Sequence, residues 1–158
     1  MAKARRREIR LDAEVYRTEG HVFSVTIGTL SREPVFEDRS FGISCIQILR
    51  ELRSETGNPV YAYCLMPDHA HLLVGITKGT PLPDFIGRWK SLCYKERRDR
   101  GDKSPFWQRS FFDHALRQED DLRAAALYIL LNPVRKGLVE NFRRYPLCGS
   151  LEWDLEMW

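Results

Sequence analysis

MPDHAHLLVGI, residues 66–76, holds two of the chain's four histidines, His69 and His71, either side of Ala70 at the start of an apolar run. The residues before it, PVYAYCLM (59–66), are apolar and rich in β-formers, so the two runs read as strands. Pro67 and Asp68 between them mark a tight turn or a bulge. Residues two apart in a strand face the same way. His69 and His71 are therefore expected side by side, roughly 6.6 Å apart at Cα, with Ala70 pointing to the opposite, buried face. That spacing suits two ring nitrogens converging on one divalent metal at about 2.0–2.2 Å each. A third ligand must then come from elsewhere. An H-x-H pair alone also has a plain reading, as two strand histidines bonded to their neighbours.

Outward from this hairpin the chain alternates strands and helices. HVFSVTIGTL (21–30) reads as an earlier strand. FGISCIQILRELRSETGN (41–58) has helical spacing at Ile43, Ile46, Ile48, Leu49 and Leu52 and stops at its Gly-Asn. TPLPDFIGRWKSLCYKERR (80–98) opens with proline and aspartate and continues as a basic amphipathic helix. SPFWQRSFFDHALR (104–117) contains a fourth strand. EDDLRAAALYILLNPVRKGL (119–138) has acidic capping residues, runs helically and breaks at Asn132-Pro133. The order of the first six elements predicts an α+β fold: a ferredoxin-like antiparallel sheet with helices on one face, plus a C-terminal helix.

With 158 residues and 18.6 kDa, the expectation is one domain spanning 1–158, with a basic N-terminal arm (1–17) and a C-terminal tail (141–158). Hydrophobic content of 43% and charged content of 30% are those of a folded protein. No apolar run approaches the ~20 residues a membrane span needs, and no apolar segment follows the basic start. Together these predict a cytoplasmic protein with no membrane partner. Cys45, Cys64, Cys93 and Cys148 form no C-x-x-C pair, which excludes a zinc ribbon and suggests inert thiols.

The net charge of +3 is unevenly spread. Basic residues crowd the first ten positions, the segment from Arg88 to Lys103, and the segment from Arg135 to Arg144. With Trp89, Tyr94 and Trp107 interleaved, this favours a polyanionic partner such as nucleic acid. Any one cluster is equally well read as a solvated helix face. On the last helix, Tyr128 and Asn132 are four apart and share a face, while Leu122, Ala125, Ala126, Ile129 and Leu130 form the apolar stripe.

Taken in order, YCLMPDHAHLLVGI, GRWKSLCYKERR and DDLRAAALYILLNPVRKGLVE resemble the single-tyrosine transposases of the His-hydrophobic-His endonuclease superfamily. The resemblance is strongest to the REP-associated branch, named for repeated extragenic palindromes, and runs from about His21 to Tyr145. The paired patterns M-P-x-H-x-H-L-L and Y-I-x-x-N-P-V-R-x-G-L-V are specific together. The resemblance implies His69 and His71 as metal ligands and Tyr128 as the nucleophile. It makes Asn132 a candidate third ligand, where more distant relatives use glutamine. Lys90 and its basic helix fall where the family contacts DNA. The resulting DNA-binding set is Arg88, Trp89, Lys90, Tyr94, Lys95, Arg97, Arg98, Arg135 and Lys136. Two departures stand out: Asp68 replaces the family's usual Asn, and YPLCGSLEW (145–153) only loosely matches its Y-P-x-S-S ending. Pro133 also disfavours α geometry at Asn132.

What the resemblance implies is a nuclease that cuts and rejoins single-stranded DNA beside a hairpin. A divalent metal, Mg²⁺ or Mn²⁺, would offset charge on the phosphate. Tyr128 would form a 5′-phosphotyrosine and leave a 3′-hydroxyl able to reverse the attack. The basic helix would track phosphates, with Trp89 or Tyr94 stacking on bases. The branch implies a monomer, although related enzymes also form dimers that share sites, and a nucleoid-associated location. Tyr94, beside Lys95, is the rival nucleophile. His114 reads as an ordinary strand residue, and His21 has no evident partner. The acidic, Trp-bearing end LEWDLEMW suggests by charge a cover for the DNA groove. Two other functions fit parts of the pattern. One is a water-using phosphoesterase with Asp68 or Asp113 as a further ligand, and the other a non-catalytic hairpin-DNA-binding regulator.

Overall fold

The structure, a computed structural model, describes residues 13–77, 79–117 and 121–158. Five antiparallel strands form one sheet: β1 (Val22–Gly28), β2 (Val60–Met66), β3 (His69–Gly75), β4 (Phe112–Ala115) and β5 (Cys148–Gly149). Their spatial order is β4-β1-β3-β2-β5, the ferredoxin-like order with one strand added beyond β2. Among the described residues five α-helices accompany it: α1 (Ala13–Arg17), α2 (Arg39–Thr56), α3 (Leu82–Asp99), α4 (Leu122–Leu130) and α5 (Asn132–Arg135). No helix among the described residues is long and apolar enough to cross a membrane.

The alternation along the strands splits the apolar residues between two cores. On one face, Phe23, Val25, Ile27, Ala70, Leu72 and Val74 meet α2 and α3. On the other, Cys64, Met66 and Leu73 meet Ala126, Ile129 and Leu130 of α4. α2 starts because the Asp38 carboxylate accepts the Phe41 N–H (3.1 Å), and it ends at Gly57, whose φ of 76° suits glycine. Its buried stripe includes Phe41, Cys45, Leu49 and Leu52; that of α3 is Leu82, Phe85, Ile86, Trp89 and Cys93. α4 is capped by Asp121, which accepts the Arg123 N–H (2.8 Å).

Pro67 and Asp68 make a two-residue turn, with Met66 opposite His69. Buried Thr29 pins this turn: its N–H and its hydroxyl both donate to the Asp68 carbonyl (3.0 and 2.9 Å), and the Phe36 N–H donates to that of Pro67 (3.1 Å).

At the two ends the structure adds to one expectation and corrects the other. Of the basic arm, residues 1–12 lie outside the described residues, while Ala13–Arg17 form a helix followed through Tyr16 into the main core. The C-terminal tail does not lie over α3 as a cover for basic charge. It supplies β5, the Tyr145 hydroxyl donates to the Leu65 carbonyl (2.7 Å), and Trp153 packs between Tyr61 and Trp158. Glu152 accepts two bonds from Arg53 of α2 (2.8 and 2.9 Å) and one from the Val60 N–H (3.0 Å). These bonds, with the Arg53 guanidinium first, hold its carboxyl below the usual range. Because Arg53 is partly solvated, Glu152→Ala is expected to cost about 1–2 kcal/mol, read as a lower midpoint in urea unfolding.

Candidate active site

His69 and His71 lie on the α4 face of β3, with Ala70 buried on the other. Their rings stand edge to face with centroids 4.7 Å apart. Each ring is oriented by a neighbour at Nδ1: Asp68 Oδ1 at 2.6 Å from His69, and Thr26 Oγ1 at 3.1 Å from His71. With Nδ1 engaged, Nε2 of both rings is left for a ligand, the arrangement by which carboxylates and hydroxyls steer metal-binding imidazoles. Burial, with His69 and Arg135 adding positive charge nearby, pulls the His71 pKa down to about 4. His71 is therefore neutral at pH 7, as a metal ligand must be.

The hairpin opens into a cleft of about 610 Å³ whose lining includes Arg32, Glu37, Asp68, His69, Gln108 and Lys136. Gln108 reaches it because Gly28 has no Cβ: a Cβ there would meet the Gln108 amide oxygen at 2.8 Å. Gly28 is paired with His69, so the amide lies over the strand beside that histidine. Arg32 follows Ser31, and both hold left-handed φ values (53° and 51°), a strained entry that puts the Arg32 charge near Asp68.

Tyr128 is 67% exposed, on the helix that packs over β2 and β3. The Arg135 guanidinium stacks over its ring, 4.0 Å from the centroid, and donates to its backbone carbonyl (2.7 Å). The same guanidinium is close enough to His71 to depress its pKa. Arg135 thus holds the tyrosine directly, and its charge is felt at the histidine pair. Asn132 is 8% exposed and begins α5, despite Pro133. Its Nδ2 donates to the Ile129 carbonyl (3.3 Å), which fixes the amide and leaves Oδ1 to face another partner.

The structure separates the basic helix from the histidines, since α3 packs on the opposite face of the sheet. Trp89 is fully buried and donates to the Cys45 carbonyl (2.9 Å), so it has no face to offer a base. The sequence expectation of stacking there is overturned. Arg97, with its side chain 12% exposed, is held by Glu33 and Asp102 (2.6 and 2.8 Å) and lies over Phe106, which makes it part of the core's rim rather than a free phosphate contact. Arg88 pairs with Glu55, Lys95 with Asp99, and Arg98 lies over Tyr94. The Tyr94 hydroxyl donates to the Lys103 carbonyl (2.8 Å), away from the histidines, which removes it as the rival nucleophile. Lys90 reaches the backbone carbonyl of Gln108 at 2.6 Å, on the rim of the cleft, and Lys136 lines the cleft itself.

Asp113 pairs with Val25 and so faces the α2/α3 side, not the histidines. Cys64 sits opposite His71, but the hydrogen bond to Cys148 and burial push its thiol far up, so it stays protonated. Among the described residues no cluster of three His, Cys, Asp or Glu side chains forms. A metal here would rest on the two imidazoles, an amide and solvent. Sequence reasoning missed Thr26, Arg32 and Gln108: pairing along β1 places Thr26 and Gln108, and the left-handed turn after it places Arg32, none of which carries a local pattern.

A sheet of this order, with an H-x-H pair on its central strand and a tyrosine-bearing helix over it, defines the class. The family model for IS200-like transposases matches residues 15–130, and the chain belongs to that family. Among its relatives, the Escherichia coli K12 REP-associated tyrosine transposase is 31% identical over 87 residues, 55% of this chain and 51% of that one. A Haemophilus influenzae relative is 30% identical over 96 residues, 54% of each chain. The chain thus spans about half the length of the curated relatives it matches. Among solved structures, a REP-associated tyrosine transposase bound to a REP hairpin superposes with a TM-score of 0.66 at 23% identity, covering 94% of this chain and 82% of that one. A crystal structure from Deinococcus radiodurans R1 gives a TM-score of 0.55 at 22% identity, with 84% and 97% covered. Both likenesses concern the fold.

The low His71 pKa has a consequence for stability. In the unfolded chain this histidine takes up a proton near its ordinary pKa of about 6.5, but in the fold only near 4. The unfolded state therefore binds more protons between these values, and stability falls as pH drops from about 6.5 to 4. The expected loss is about 3 kcal/mol. Urea melts across this range should show it, and His71→Gln should flatten the profile.

Proposed function

We propose that the chain is a metal-dependent single-strand DNA transesterase, which cleaves and rejoins hairpin-containing DNA through Tyr128. The observation that carries this reading is the placement of the exposed Tyr128, with Arg135 stacked on its ring, on the helix that packs over the sheet face bearing His69 and His71. That links a candidate nucleophile to a pair of imidazoles whose Nε2 atoms are left for a ligand. Tyr128 Oη attacks a backbone phosphorus and forms a 5′-phosphotyrosine. The P–O3′ bond breaks, and the phenolic proton ends on the 3′-oxygen. One phosphodiester replaces another, so the reverse attack rejoins strands without ATP. His69, His71 and Asn132 would hold Mg²⁺ or Mn²⁺, which would supply charge stabilisation to the phosphate. Arg135 and Lys136, on the same side of the sheet, suit the phosphates on either side.

The hairpin as the recognition element is suggested by the solved relative bound to a REP hairpin. A water-using phosphoesterase is disfavoured because Asp113 faces the other core and Asp68 is already committed to His69. The test is a denaturing gel of hairpin DNA with Mn²⁺. Wild type should give a slow-migrating protein–DNA adduct that is absent in Tyr128→Phe and absent with chelator. Cleavage unchanged in Tyr128→Phe would return the reading to water. Binding without metal dependence, and no cleavage, would favour a regulator.

Asp68 offers a second check. Without its carboxylate the His69 ring is free to turn, so Asp68→Ala should weaken Mn²⁺ binding about 10- to 100-fold by calorimetry. Asp68→Asn keeps an acceptor oxygen and should lose much less.

A further inference from the structure

α4 packs over β2 and β3, while the β1–β4 side of the same sheet face carries exposed residues. Each histidine lies in a row of paired residues that runs toward this edge. The His71 row passes through Thr26 to Phe112 on β4. The His69 row passes through Gly28 to Gln108, whose N–H donates to the Gly28 carbonyl (2.9 Å) and whose amide lies across it. Phe112 is 58% exposed, and among the described residues its ring has no aromatic or cationic neighbour. An open aromatic ring on a strand offers a flat face on which a base can stack.

The surrounding charge indicates what would suit it. Arg32 and Lys136 line the adjoining cleft, and Arg109 is exposed between Gln108 and β4. Among the described residues none of the three forms an ion pair. An aromatic face and an amide bordered by unpaired cations is the combination that holds an unpaired nucleotide: ring on base, amide on base edge, cations on phosphates.

We infer that the β1–β4 half of the sheet is the seat of the unpaired DNA flank beside the scissile phosphate, with Phe112 stacking on one base and Gln108 reading its edge. The inference rests on the transesterase reading, because that reading puts the scissile phosphate at the histidines and requires the strand to continue past them. Uncovered sheet leads toward β4.

The test uses the full chain, Mn²⁺ and a pool of DNA hairpins with randomised unpaired flanks. The flank that wild type traps as a Tyr128 adduct is resynthesised with an abasic site at each position in turn. Phe112→Ala should slow adduct formation on the order of 10-fold or more, as expected for one stacked base. A single abasic position should cost wild type the same factor and cost Phe112→Ala nothing further. Phe112→Trp should restore the rate, Gln108→Ala should broaden base choice at that position, and Mn²⁺ affinity should not move in either Phe112 variant. An adduct rate in Phe112→Ala equal to wild type, or losses that add at every position, would overturn the surface and leave the transesterase intact. No adduct from wild type with the pool would remove both.

Discussion

The arrangement depends on how β3 is paired. With β1 on one side and β2 on the other, its register sets Ala70, Leu72 and Val74 into the core under α2 and α3, and turns His69 and His71 to the side where α4 lies. Side chains on a strand repeat every two residues, so a slip of one would bury both imidazoles and expose the leucine and valine beside them. Thr29 opposes that slip by donating twice to the carbonyl of the turn residue that carries the His69 partner. A buried threonine on β1's end thereby fixes the orientation of a histidine on another strand. Folding energy and site geometry are held by the same bonds.

The electrostatics follow from this placement. His71 is largely buried on the α4 face of the sheet, and with positive charge from His69 and Arg135 felt there a proton on its ring is unfavourable. His69 lies nearer the cleft, with a carboxylate at Nδ1 to orient it. The two histidines of one short motif therefore occupy different surroundings, and the neutral ring is secured by burial rather than by a partner. Arg135 serves two neighbours at once through its planar, forked head: a flat contact with the tyrosine ring and a donated bond to the tyrosine's own backbone.

Much of this was readable from the chain. Alternation in HVFSVTIG, the apolar run of HAHLLVG, and helical spacing in the two eighteen-residue helices give the element order directly, and the two histidines fall on one face as strand periodicity requires. Trp89, set among basic residues, nevertheless has core spacing: it lies four after Phe85 and four before Cys93, in the middle of the buried stripe. Arg97 looked free because Glu33 and Asp102, its partners, are 64 and 5 positions away. Thr26, Arg32 and Gln108 were invisible for the same reason. Their neighbours are set by strand pairing, by the absence of a side chain at Gly28 and by the left-handed turn at Ser31–Arg32, none of which leaves a local signature. The C-terminal end was read as an appendage, yet it contributes the last strand of the sheet.

The lengths of the outermost strands bear on how the molecule behaves in concentrated solution. β4 has four residues and β5 two, so each free margin of the sheet offers only a few unpaired backbone groups. Another copy approaching edge to edge finds too little template to extend the ladder. An open aromatic ring can therefore stand on the outermost strand without inviting strand-by-strand growth, because the backbone that would anchor such growth is too short.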